Sequence, residues 1–462
     1  MKEKVLALYD FASKQEFIYR TSKIKEISGA SELLTGIYKK LIDYVNSTGQ
    51  YHIVYDVVDK EFDLNGFESA EYDGEVLYDG GGNLMVLYRD RATYVAVNRM
   101  ISVYLLQNVP TLHMLASCVE CSGNFESDVA NLYHQNRMNK NFSPSSDIVA
   151  VTPMTQVDPM TFLPVVHKDK KYELSLSADR QAKLKAYRAG GKSVNNLDEL
   201  EGMTAVIYID GNSMGMKLKE CSDPDYNKGV KKLREFSKTT NDDFVVKPLE
   251  TIRKFVADSN YKGFRQVIGG GDEITIICDA RIALKVVSVY FEALKKSDNN
   301  FACAGIAVFH AKAPFTIAYE IAEAACESAK QLAHQTEGNY FDFYYCHAGI
   351  TTDFETLRQR EQSISKRPYG YDEATRLFES YKPILQASGR SNVKALGLAA
   401  QLGEERYRFE VERVNAYLGD KGSLKTDAEG IKEEIGLIYD MSEFYDLWFA
   451  KEGDSSETNL SD

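Results

Sequence analysis

The sequence predicts an α+β protein in which two similar units are followed by a helical region. Three observations predict it. A pattern of strand, glycine hairpin, helix and strand occurs twice in the same order; a strand ending in an aspartate opens each copy; and the spacing of apolar residues becomes helical after residue 350. The chain has 462 residues, 44% of them hydrophobic, enough to bury a large core and to form about three domains.

The first copy opens with VLALYDFAS, an apolar strand that reaches Asp10. EVLYDGGGNLMVLY (75–88) follows as a glycine-tipped hairpin, then the helix-like RATYVAVNRMISVYLLQN (91–108) and the strand TLHMLASCVE (111–120). The second copy opens with TAVIYIDGNSMG (204–215), whose strand ends at Asp210. Its hairpin is RQVIGGGDEITIICDA (265–280), its helix RIALKVVSVYFEALKK (281–296) and its strand FACAGIAVFHA (301–311). A further helix, TIAYEIAEAACESAKQLAH (316–334), and a strand, FDFYYC (341–346), extend this copy. Each unit is expected to be an antiparallel-rich sheet with helices on one face.

Residues 135–200 separate the copies. They are rich in Pro, Met, Asn and Lys and end in AYRAGGKSVNN, which reads as a flexible connector. The expected organisation is a first unit over 1–134, this inter-unit region over 135–200, a second unit over 201–350, a helical domain over 351–450 and a disordered acidic tail over 451–462.

Composition narrows the function. Net charge is −13, so a basic surface for gripping duplex DNA is not expected. KDKK (168–171) and VKKLREFSK (230–238) read as solvated faces. No run of about 20 apolar residues suggests a membrane span, and MKEKVLALYDF lacks a signal-peptide cleavage pattern. The seven cysteines fall mostly in apolar segments, which suits a reducing cytoplasm.

The chemistry concentrates at two aspartates. VIYID is apolar at nearly every position and reads as buried on both faces, so Asp210 at its end needs a partner or a cation. The glycines 269–271 permit positive φ and leave no Cβ to obstruct a phosphate. If the two strands are neighbours, Asp210 and Asp272 meet at one end of the sheet and suit a hard divalent cation such as Mg²⁺, with Glu273 as a second ligand or a base. Gly and Asp also populate turns for local reasons. The pairing with a strand aspartate, in the same order in both copies, is what raises GGGDE above a mere turn. The first hairpin reads GGGN, with Asn83 lined up against Asp272, so a metal site there is not expected.

YIDGNSMG and GGGDE resemble the palm shared by nucleotide cyclases, GGDEF diguanylate cyclases and related polymerases. QEFIYRTSKIKEISGASELL (15–34), FDFYYCHAG (341–349) and KRPYGYDEATRL (366–377) extend the resemblance to the large polymerase/cyclase subunit of type III CRISPR effector complexes, over most of residues 1–420. The resemblance implies two ferredoxin-like palms packed as an internal pseudo-dimer, with a helical C-terminal domain. It implies ATP as substrate, Mg²⁺ or Mn²⁺ as cofactor and a cyclic oligoadenylate second messenger of antiphage defence as product. A crRNA-guided effector complex and a downstream cyclic-nucleotide-sensing effector are the implied partners. A complex subunit with a scaffold or nucleotide-sensing role is the alternative reading.

Carried onto this sequence, the family's metal ligands fall on Asp210, Asp272 and Glu273, with Gly211 beside them, and its phosphate-approach glycines on Gly270 and Gly271. Asn212, Ser213, Gly215, Lys217, Lys366 and Arg367 are further candidate nucleotide contacts, as are Gly81 and Gly82 in the first copy. Three departures stand out. Glu273 replaces the second aspartate usual in that family, Asn212 replaces an acid, and the HD nuclease domain often fused in front is not expected. Cys118 and Cys121 stand without a second CxxC and read as small apolar side chains.

Overall fold

The structure, a computed structural model, describes residues 4–12, 14–21, 23–57, 61–142, 154–169, 174–189, 202–259, 261, 263–297, 300–311, 313–346, 354–361 and 364–449. Much of the expected connector (190–200) and all of the expected acidic tail (451–462) lie outside the described residues. The chain divides into two compact units. One comprises 1–194, 213–245 and 267–272; the other comprises 195–212, 246–266 and 273–462.

The first unit is built on β1 (Val5–Ala12), β2 (Ile53–Val54), β3 (Gly74–Gly80), β4 (Asn83–Tyr88) and β5 (His113–Glu120), in the spatial order β2-β3-β4-β1-β5. β1 runs antiparallel between β4 and β5. Successive strand residues point to opposite faces, and Val5 through Tyr9 are all buried, so both faces are covered. Leu6 and Leu8 join a core with Phe125, Leu132, Tyr226 and Val230. Tyr9 meets Tyr94 on the opposite side, with ring centroids 6.4 Å apart. The sequence reading expects helices on one face; here they lie on both. The extra layer comes from the helices Phe125–Phe142 and Tyr226–Asn241, the second of which lies within the second copy in sequence.

The segment between the copies is also structured. β6 (Val165–Asp169) and β7 (Leu174–Ser177) form a two-stranded antiparallel sheet that leads into the helix Ala178–Ala189.

The second sheet contains β8 (Met203–Gly211), β9 (Phe264–Gly270), β10 (Glu273–Asp279), β11 (Ala302–His310), β12 (Tyr340–Tyr345) and β13 (Tyr369–Gly370), in the order β13-β12-β11-β8-β10-β9. The arrangement β9-β10-β8-β11 repeats β3-β4-β1-β5, so the duplication read from sequence is a duplication of topology. The helix Phe315–Ala333 lies so close to β11 that a Cβ on Gly305 would come within 1.8 Å of the Ala322 carbonyl oxygen. The helices Tyr371–Ser388, Arg390–Gln401, Glu404–Leu418 and Ala428–Trp448 form the helical C-terminal region. Among the described residues no helix is long and apolar enough to cross a membrane.

A buried ion cluster fastens the inter-copy segment to the first copy. Arg180 forks between Glu26 (2.7 Å) on the helix Ile24–Leu34 and Asp158 (2.9 Å), and all three side chains are at most 4% exposed. Burial pushes the Asp158 carboxyl up, but the backbone N–H groups of Ser177 and Met160, with Arg180, outweigh it and hold the group below its ordinary value. Stability from this carboxylate is therefore present at neutral pH and lost as pH falls through the lowered value. Arg180→Leu leaves two buried carboxylates without their cation. Chemical denaturation is expected to show a loss of about 3–5 kcal/mol; a loss within experimental error would mean that the cluster does not hold the segment in place.

Candidate active site

β8 carries the strand aspartate outward to the end of the sheet, and β10 returns beside it. The antiparallel register sets Asp210 directly opposite Glu273 on one side and Cys303 on the other. Directly opposed residues project from the same face with Cβ atoms about 4.5–5.5 Å apart. The Tyr208 hydroxyl, two residues back on that face, is held well above its usual value by burial first and then by the charges of Glu273 and Asp210. The two carboxylates therefore converge.

In the first sheet the same register sets Asp10 opposite Asn83. The structural equivalent of Asn83 is thus Glu273, not Asp272, and this corrects by one residue the alignment read from the glycine runs. The turns account for the shift. Gly81 and Gly82 both have positive φ (55° and 77°), as a type I′ hairpin requires, whereas in the second hairpin only Gly271 does (68°), with Asp272 after it at the tip.

Asp210 has a partner that the sequence reading did not single out. Lys330, on the helix Phe315–Ala333, places its ammonium 2.5 Å from the carboxylate, with both side chains about one-fifth exposed. Burial alone would lower the lysine, but Asp210 outweighs it and holds it protonated above its ordinary range. The available signal was a lone cation after a stretch of small residues: Ala322, Ala325, Cys326 and Ala329 are all buried, and Lys330 follows them directly.

Asp10 sits in a different environment. It is 5% exposed and surrounded by donors, the Asn136 amide at 3.2 Å and the ammonium groups of Lys140 at 2.5 Å and Lys14 at 3.5 Å. The hairpin tips differ in the same sense. A Cβ on Gly80 would meet Ser237 Oγ at 2.1 Å, and one on Gly82 would meet the Lys14 ammonium at 1.9 Å. Lys14 and Tyr38 both donate to the Gly82 carbonyl, at 2.8 and 2.7 Å. Beside Gly270, the counterpart of Gly80, there is open space. Gly81 and Gly82, expected as nucleotide contacts, both serve the turn by their positive φ, and Lys14 fills the flank of Gly82, while the flank of Gly270 is open.

The remaining candidates are dispersed. Asn212 spends its side-chain amide on the Gly338 carbonyl (3.2 Å) and lies against the Cys303 thiol. Ser213, left-handed at φ 61°, starts the short helix Met214–Glu220, which carries Gly215 in its first turn and Lys217 in its last. Lys366 pairs with Glu373 at 3.0 Å. Arg367 is a correction: its side chain is 1% exposed, bound by Asp440 and Glu361 (both 2.9 Å) and seated over the Phe343 ring. A guanidinium so matched cannot turn to a triphosphate, and it acts as a structural tie.

The donor set fits a hard divalent cation in kind. Asp210 and Glu273 supply facing carboxylates, Asp272 adjoins Glu273 in the chain, and Mg²⁺ is commonly held by one or two carboxylates together with substrate phosphates. Among the described residues no group of three His, Cys, Asp or Glu side chains is placed to hold a metal ion. A cation here would therefore draw its remaining ligands from a phosphate and from water.

Residues 203–337 match the family described as Cas10/Cmr2, second palm domain. No curated protein matches the chain. Among solved structures, a Csm1–Csm4 cassette in complex with cA4 superposes with TM-score 0.53 at 13% identity, over 96% of this chain and 69% of that one. The cassette in complex with one ATP gives 0.52 at 12%, over 96% and 70%. Csm1 in T.onnurineus gives 0.54 at 11%, over 96% and 69%. At these identities the likeness is one of fold. It agrees with the duplicated sheet topology: residues 203–337 match the Cas10/Cmr2 second palm, and the chain shares the fold of Csm1.

Proposed function

We propose that this chain is a nucleotidyltransferase that joins nucleoside triphosphates, ATP first among them, into cyclic oligonucleotide second messengers of CRISPR-type defence in the cytoplasm. The observation that carries this reading is the facing pair Asp210 and Glu273 at the end of a buried strand. The match to the Cas10/Cmr2 second palm and the solved relatives named with ATP and cA4 support it.

In the proposed step a 3′-hydroxyl attacks an α-phosphorus. The O3′–P bond forms as the hydroxyl proton passes to water or to Glu273, the bond to the bridging oxygen breaks, and pyrophosphate leaves. Asp210, Glu273 and Asp272, with Gly211 beside them, would hold Mg²⁺ or Mn²⁺, which when bound offsets the charge of the α-phosphate and the pyrophosphate. Glu273 and Asp210 fix where that charge is placed. The open flank of Gly270 admits the phosphate chain, with Gly271, Ser213, Gly215 and Lys217 as further proposed contacts. Lys330 releases Asp210 and becomes a cationic partner for phosphate.

A second reading, a subunit of a crRNA-guided complex, is favoured by relatives solved as Csm1 together with Csm4. Co-purification with small RNA and sibling proteins supports it, whereas a catalytically active chain isolated alone supports the first.

Incubation with each nucleoside triphosphate and Mg²⁺ or Mn²⁺ is expected to release pyrophosphate and give a cyclic product by mass spectrometry. Asp210→Asn and Glu273→Gln are each expected to bring turnover to background without changing the melting temperature. Wild-type levels in both variants would place the chemistry elsewhere. Lys330→Ala removes a cation that competes for Asp210, so Mn²⁺ binding without nucleotide, read by electron paramagnetic resonance, is expected to tighten about two- to fivefold. Unchanged affinity would show that the ion pair does not guard the site.

A further inference from the structure

A cavity of about 400 Å³ in the second unit is used by none of the chemistry above. Arg281, on its wall, is held by Asp279 (2.9 and 2.6 Å), which ends β10. Glu273 starts the same strand, so the cavity lies about 20 Å from the acid pair, six strand steps at roughly 3.3 Å each.

Two helix faces form much of its wall. Leu284, Lys285 and Ser288 line it from the helix Ala283–Leu294. Thr375, Phe378, Glu379 and Lys382 line it from the helix Tyr371–Ser388. Both sets have the three- and four-residue spacing of a single helix face. A gap between packed helices is ordinarily closed by aliphatic side chains at those positions; here Lys285 and Lys382 occupy two of them. Lys285 is exposed and Lys382 half-buried, and neither ammonium has an ion-pair or hydrogen-bond partner among the described residues.

The rest of the wall mixes aromatic with aliphatic side chains, Ile282, Val287 and Leu447 among the latter. Tyr261, Phe255 and Phe378 are half-buried along it, and the Arg281 guanidinium lies over the Tyr261 ring at 4.6 Å from its centre. Asp279 already neutralises that guanidinium, so the two lysines are the cations available to a ligand.

We propose that this cavity is a second binding site, for a planar aromatic anion of the nucleoside monophosphate class. Its volume is in the range of small-molecule sites. The base stacks against the aromatic wall, the phosphate takes Lys285 and Lys382, and Glu379 accepts from a base amino group or a ribose hydroxyl. Lysine stems covering apolar surface give the competing account, and it predicts no preference for a charged ligand.

The test is calorimetric titration of the full chain with AMP, adenosine and inorganic phosphate, in EDTA. AMP is expected to bind at one site, at least roughly tenfold more tightly than adenosine or phosphate. Lys285→Gln/Lys382→Gln is expected to weaken AMP about tenfold at unchanged melting temperature, and Lys285→Glu/Lys382→Glu to weaken it further. Asp210→Asn/Glu273→Gln is expected to leave AMP affinity unchanged, which separates this site from the acid pair. No heat at millimolar AMP, equal binding of adenosine, or undiminished AMP affinity in the lysine variants would overturn the proposal.

Discussion

A carboxylate at the end of an interior strand is removed from bulk water on most sides, and its charge has to be answered by the groups around it. Asp10 and Asp210 are topological equivalents that meet this requirement in different ways. Asp10 faces a neutral Asn83 and receives an amide and two ammonium groups, so its charge is fully met within the protein. Asp210 faces Glu273 and receives the single ammonium of Lys330. The second strand end thus sets two acidic side chains opposite each other, where the first sets an acid opposite an amide.

The hairpin tips follow the same division. In the first, two left-handed glycines close the turn and the space beside them is filled by Ser237 and Lys14. In the second, one left-handed glycine is followed by Asp272, and the flank of Gly270 stays open. Gly271 comes to within van der Waals distance of Gly81, where a Cβ would stand 3.6 Å from its Cα. The glycine runs look alike as text, but one is demanded by packing and the other leaves room.

Cations show why part of the site was not legible. Arg367 stands in a motif shared with the resembled family and looks available, yet Asp440 and Glu361 bury and match it. Lys330 stands in an unremarkable helical run and looks like a solvated residue, yet it reaches Asp210. Arg180 falls just before a stretch that reads as flexible connector, and it reaches Glu26 across 154 residues of sequence and ties it to Asp158. Which carboxylate a basic side chain meets depends on contacts between distant segments, and no local pattern encodes it.

Local patterns did encode the duplication. Apolar strands ending in aspartate, glycine-tipped hairpins and apolar helices recur in one order because each element buries its own face, and burial leaves a periodic trace in the chain. Asp210, Asp272 and Glu273 could be singled out on that basis alone. Tertiary structure decided what depends on register and long-range packing: that Glu273 is the residue facing Asp210, that Lys330 completes the pair, and that helices such as Tyr226–Asn241 cover the second face of the first sheet. A one-residue shift in register turns every side chain to the other face of a sheet, and the turn conformation that sets the register appears only once the chain has folded.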